Sequence, residues 1–100
     1  MAADLGQRFG ANLRRARRGA DLSQVGLAQL VGLNRVDVSA IERGQRLPRL
    51  DTILKLSAGV EASPCVLLAG LRWRPGHYVE GSFNVTAIRE EDIDTGSPTR

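Results

Sequence analysis

Apolar residues return along positions 5–71 at intervals of three and four, the repeat of helices that each bury one side. Leu5, Phe9, Leu13 and Ala16 form the first stripe and predict a helix over about residues 4–18, with Gly19 where the chain leaves it. Ser23 is a good N-cap for a second helix carrying Leu27, Leu30 and Val31, and Gly32 supplies the positive φ that a tight turn needs. Asn34 caps a third helix, in which Val38 and Ile41 lie three apart and which stops at Gly44. Leu47-Pro48 forces an extended step, after which Leu50, Ile53, Leu54 and Ala58 make a fourth stripe ending at Gly59. Ser63-Pro64, a cap followed by proline at the first helical position, opens a fifth helix through Val66, Leu67, Leu68 and Leu71.

The pattern then changes. Trp73, Pro75, Gly76, Tyr78, Gly81 and Phe83 arrive together, and Phe83, Val85 and Ala87 alternate with Asn84 and Thr86, a strand signal without an obvious strand partner elsewhere in the chain. Residues 90–100 are acidic and then rich in Gly, Ser and Pro, with too few apolar groups to order themselves. Three segments follow: a helical domain over 4–71, an extension over 72–89 and an unordered tail over 90–100. Helices this short are marginal alone in water, so the five stripes must bury one another. The expected fold is all-α, a five-helix bundle with a short C-terminal extended or β segment.

Composition narrows what such a bundle can do. The chain has 100 residues, room for one core, with a single cysteine (Cys65) and a single histidine (His77). That excludes an internal disulfide and a cysteine-based zinc site, and removes most metal and triad chemistry. No enzyme, metal or cofactor is expected. Cys65, beside apolar neighbours, reads as a buried small hydrophobe. No apolar run approaches the length of a membrane span, and the N-terminus, interrupted by Asp4 and Arg8, is not a signal peptide, so the expected compartment is the cytoplasm. Without secretion, the Asn84-Val85-Thr86 acceptor motif is not modified.

Charge is uneven: residues 1–60 carry a net +5 and residues 61–100 a net −2. A basic first part points to a polyanion, although Arg14, Arg15, Arg17 and Arg18 equally fit the solvated side of one helix. Within Gln24–Arg43, two helices of about eight residues flank Gly32-Leu33-Asn34, and so short a link leaves them steeply crossed. This spacing fits both a helix-turn-helix and a plain αα-hairpin. On the third helix Val38 and Ile41 point inward, while Val36, Ser39, Ala40 and Arg43 lie opposite with Arg35 on the flank. That outer side is small, polar and basic, suited to a major groove. Asp37 dissents; it either favours the helix N-terminus electrostatically or accepts from a cytosine amino group.

The run Phe9-Gly10, Leu13-Arg14, Arg17, Leu22-Ser23-Gln24, Leu27-Ala28, Gly32, Val38-Ser39, Ile41-Glu42-Arg43-Gly44, Pro48, Leu50 and Leu54 strongly resembles the XRE-type (Cro and phage-repressor) helix-turn-helix family. The likeness covers about residues 5–71 and implies a lambda-repressor-like DNA-binding bundle. It also implies roles. Gln24 contacts a phosphate and braces the third helix, Arg35, Val36 and Ala40 face base edges, and Ser39, Arg43, Arg46 and Arg49 lie near the sugar-phosphate backbone. Arg35 suits guanine O6 and N7, and Val36 a thymine methyl. Glu42 lies only about 40° from inward-facing Val38 on a helical wheel and needs a cation. The resemblance makes Arg17 that cation, in a structural ion pair. Val25-Gly26 departs from the family's acidic or polar pair, weakening the second helix and depriving Ser23 of a capping-box partner.

The implied function is a sequence-specific regulator of double-stranded DNA, a repressor reading the major groove with residues 35–43. An antitoxin-like or antagonist protein-interaction module is the alternative. One such domain covers one half-site, so a homodimer is expected. The extension over 73–87 either pairs with its copy in a second subunit or packs on its own helices.

Overall fold

A computed structural model describes residues 4–76 and 81–86. Its elements, in chain order, are α1 (Leu5–Gly19), α2 (Gln24–Val31), α3 (Arg35–Glu42), α4 (Leu50–Gly59), α5 (Pro64–Leu67), β1 (Leu71–Pro75) and β2 (Gly81–Val85). The helices enclose one aliphatic cluster, to which α1 gives Phe9 and Leu13, α2 gives Leu27 and Ala28, α3 gives Val38 and Ile41, α4 gives Leu56, and α5 gives Leu67. Val60, the residue closing α4, completes it. In α1 and α3 these are the stripes read from the sequence, but in α4 the core takes Leu56 and Val60 while Leu50 and Leu54 of the expected stripe are exposed, as are Leu30 of α2 and Val66 and Leu68 around α5. Burying each large aliphatic side chain is worth about 1.5–3 kcal/mol. The all-α bundle with a short β segment is the fold observed.

Local chemistry sets where each helix begins. Asp4 caps α1 by accepting from the Gln7 N–H, and the Gln7 side chain accepts in return from the Asp4 N–H, a full capping box. The Asp-x-x-Gln spacing was visible in the sequence. Ser23, Asn34 and Ser63 cap α2, α3 and α5 through their side-chain oxygens. For Ser23 the cap is one-way, since Gly26 donates its N–H to Ser23 Oγ at 2.9 Å and has nothing to return.

The helix exits divide into two kinds. After α2 and α3, Gly32 (φ 73) and Gly44 (φ 75) adopt the left-handed conformation that ends the helix. After α1 and α4 that conformation falls to Asp21 (φ 59) and Glu61 (φ 56), two residues beyond Gly19 and Gly59. There the Leu22 N–H reaches Arg17 O at 3.1 Å and the Ala62 N–H reaches Ser57 O at 3.0 Å, the same return hydrogen bond that Leu33 makes to Ala28 O and Gln45 to Ala40 O at the glycine exits, so the bond forms with or without glycine.

Two expectations fail at the C-terminal end of the bundle. The fifth helix does not run to Leu71; α5 is a single turn, followed by Gly70 at φ 82, and Leu71 is the first residue of β1. The second failure concerns β2, which pairs within the chain, antiparallel to β1, with Leu71 opposite Val85 and Trp73 opposite Phe83. The Thr86 N–H closes the base of this hairpin on Gly70 O at 2.8 Å. Closing a short link costs little entropy, so a neighbouring strand is the cheapest partner. Leu71-Arg72-Trp73-Arg74 already alternates in the sequence, a signal hidden by Leu71 also fitting the helical stripe. Cys65 is likewise corrected: one turn of helix can send only Leu67 to the core, and Cys65 is exposed. His77, Tyr78, Ala87 and the tail over 90–100 lie outside the described residues.

Candidate nucleic-acid interface

The outer side of α3 is set by what holds its inner side. Gly10 lets α1 lie directly on the end of α3: a Cβ there would come within 2.4 Å of Glu42 O and 2.6 Å of Ile41 O, both backbone atoms that cannot swing away. Beside this contact, Arg17 of α1 meets Glu42 of α3 two-pronged, Nε to Oε2 at 2.6 Å and Nη2 to Oε1 at 3.0 Å. Their side chains are 7% and 3% exposed. The remaining Arg17 nitrogen, Nη1, donates to Leu22 O at 2.7 Å, and Gln24 Nε2 of α2 donates to Glu42 Oε1 at 3.1 Å. One carboxylate thus ties α1, α2 and α3 together. Burying charges is tolerable here because both carboxylate oxygens are hydrogen-bonded.

With Val38 and Ile41 buried, α3 turns the other side outward. Arg35 and Val36, in its first turn, are exposed, Val36 to 66%, and Arg35 makes no ion pair with a described residue. Ser39 and Ala40 are half-buried one turn on, and Arg43 projects beyond them with Nε 3.3 Å from Ser39 O. Asp37 has both roles of a structural residue: its N–H is capped by Asn34 Oδ1 at 2.8 Å and its Oδ1 receives Arg46 Nη1 at 2.5 Å. That ion pair is exposed, so it orients Arg46 more than it stabilises the fold. Arg49 stands in solvent, 3.5 Å from Asp51.

The structure therefore brings Gln24, Arg17 and Glu42 into one hydrogen-bonded cluster behind α3. Arg35, Val36, Ser39, Ala40 and Arg43 stand on α3 and just past its end, and Arg46 and Arg49 on the turn that leads to α4. Two supporting residues had no signal in the sequence. Asn12 donates to Leu67 O at 2.9 Å and Ala69 O at 2.8 Å, and Arg8 Nε reaches Ala69 O at 3.3 Å. They satisfy carbonyls left by the abrupt end of α5, a need invisible while that helix was read as longer. Among the described residues, no group of His, Cys, Asp and Glu is placed to hold a metal, and no helix is long and apolar enough to cross a membrane.

This is the architecture of a helix-turn-helix regulator. Residues 8–69 match the model of a helix-turn-helix domain family, and the chain belongs to that family, in its XRE-type branch of repressors and controllers. Among solved structures, the restriction-modification controller protein C.AhdI from Aeromonas hydrophila is 44% identical, with 61% of this chain and 92% of that one covered and a TM-score of 0.59. A hypothetical transcription factor from Neisseria, NHTF, is 35% identical over 65% of this chain and 75% of its own, with a TM-score of 0.62. The P22 c2 repressor, solved in complex with a synthetic operator, is 32% identical over 62% of this chain and 94% of that one, with a TM-score of 0.58. No curated protein matches the sequence.

Proposed function

We propose that this protein is a homodimeric repressor that binds a specific site on double-stranded DNA, with α3 in the major groove. The observation that carries the reading is the exposed Arg35-Val36 pair at the start of a helix held from behind by Arg17, Gln24 and Glu42. A guanidinium on guanine O6 and N7, beside a methyl-sized apolar contact on thymine, discriminates between base pairs by about 1–3 kcal/mol per good contact. Ala40 permits close approach. Ser39, Arg43, Arg46 and Arg49 flank this centre and supply phosphate contacts, while Gln24, with one amide proton given to Glu42, braces α3 and offers the other to a phosphate. Repression follows from occupancy of the site.

A two-fold dimer sets two copies of α3 about 34 Å apart on one face of the duplex. Its natural contact is the uncharged side of the hairpin, where Trp73 and Phe83 stack edge to face at 5.0 Å and remain 51% and 61% exposed. The test is selection from random duplexes followed by an alanine contrast. Arg35→Ala relaxes preference at particular base pairs; Arg46→Ala weakens all sequences alike and lowers the salt slope by about one. Equal behaviour of the two refutes the assignment of roles.

A further inference from the structure

The hairpin has two unlike sides, because successive strand residues point to opposite sides of a sheet. Leu71, Trp73 and Pro75 share one side with Val85, Phe83 and Gly81, and no charge stands there. Its base is the bundle's own, with Leu71 packed on the core cluster and Val85 half-buried. The other side is Arg72 and Arg74 opposite Asn84 and Ser82. Both arginines are exposed, neither pairs with a described acid, and neither strand contains an acidic residue.

Position gives these two charges their meaning. A groove of about 650 Å³ has Phe83, Asn84 and Val85 on one wall and Gly44, Gln45, Arg46 and Leu47 on the other. The hairpin therefore stands against the turn that leaves α3: Phe83 and Val85 of its uncharged side and Asn84, the cross-strand neighbour of Arg72, line the space that Arg46 also lines, while Arg72 and Arg74 stand outside it. Asp4, the one acid lining that groove, accepts from the Gln7 N–H through Oδ1. Among the described residues this side carries only positive charge. A duplex held by α3 is attracted to it.

We infer that Arg72 and Arg74 form a second phosphate-binding surface, a wing that grips the DNA backbone outside the base pairs reached by α3. The inference rests on the DNA-binding reading above. It concerns residues beyond 8–69, the span of the family match, so the wing is an addition to the shared domain. Guanidinium groups suit the task because they meet phosphate oxygens with two parallel hydrogen bonds.

The experiment measures affinity against salt concentration for the full chain on a selected site with long flanks, on the same site trimmed to its half-sites, and on unrelated duplex. Three proteins are compared: wild type, Arg72→Ala with Arg74→Ala, and Arg72→Lys with Arg74→Lys. The alanine pair should flatten the slope of log K against log salt by about two, at about 0.9 per phosphate, on both long duplexes and leave base preference unchanged. The lysine pair should restore most of the slope, and trimming should erase the difference between wild type and the alanine pair. Fluorescence of Trp73, the only tryptophan, reports whether the hairpin is intact. An unchanged slope for the alanine pair while Arg46→Ala still lowers it overturns the wing and leaves the helix-turn-helix reading standing; so does a lysine pair as weak as the alanine pair. Failure of wild type to bind any duplex overturns both.

Discussion

The bundle and the hairpin put apolar side chains to opposite uses. In the bundle, Leu13, Leu27, Val38, Leu56 and Leu67 are fully buried and every helix contributes to one cluster. Polar groups that enter it, such as Arg17 and Glu42, arrive with partners. In the hairpin, Trp73 and Phe83 pair with each other and leave more than half of their surface in water. A two-stranded hairpin is marginal by itself, and among the described residues this one is tied to the bundle at its base, through Leu71 and the Thr86 to Gly70 hydrogen bond. The difference separates a region whose apolar groups are closed off from water from one that leaves them open to it, and the family match stops at residue 69, where the first ends.

The contrast can be broken most forcefully at the ion pair. Glu42→Ala strands Arg17 in the core and should cost about 3–5 kcal/mol, read from urea unfolding, because the remaining charge is desolvated and uncompensated. A cost below about 1 kcal/mol contradicts the claim that this cluster holds α3. Gly10→Ala comes next. Its Cβ meets fixed carbonyls of α3, and overpacking of that kind costs about 1–3 kcal/mol; a silent substitution means that the helices have room to part. In the hairpin the ranking inverts. Trp73→Ala should change the unfolding free energy of the bundle by less than about 1 kcal/mol, since only the aromatic pair is lost, yet convert dimer to monomer by mass in solution. A variant that stays fully dimeric removes the hairpin from the dimer interface.

How much of this was legible in the sequence follows the same division. The stripes of α1 and α3, Ser23, Asn34 and Ser63 as caps, and Gly32 and Gly44 as exits are local signals that the fold keeps. The α4 stripe was misplaced, because a period of three to four also fits Leu50 and Leu54, which are exposed, while Leu56 and Val60 fill the core. Gly19 and Gly59 do end α1 and α4, although the left-handed residue falls two positions later, at Asp21 and Glu61, a feature that no glycine marks in the sequence. Leu71 misled because one residue fits both a period of 3.6 and a period of two, and tertiary context chose the strand. Within the site, the outward residues of α3 follow from its wheel. The third arm of the Glu42 cluster, Gln24, and the engagement of Arg46 by Asp37 depend on distances across elements that no spacing along the chain encodes.

The claim on which the functional reading depends is that the Arg35-Val36 end of α3 distinguishes one base sequence from another. Titration of the wild-type protein against its selected duplex and a scrambled duplex, at the same salt concentration near the physiological value, measures this directly. The reading predicts binding to the selected site at least about a thousandfold tighter, with most of that ratio lost in Arg35→Ala. Equal affinity for the two duplexes contradicts it.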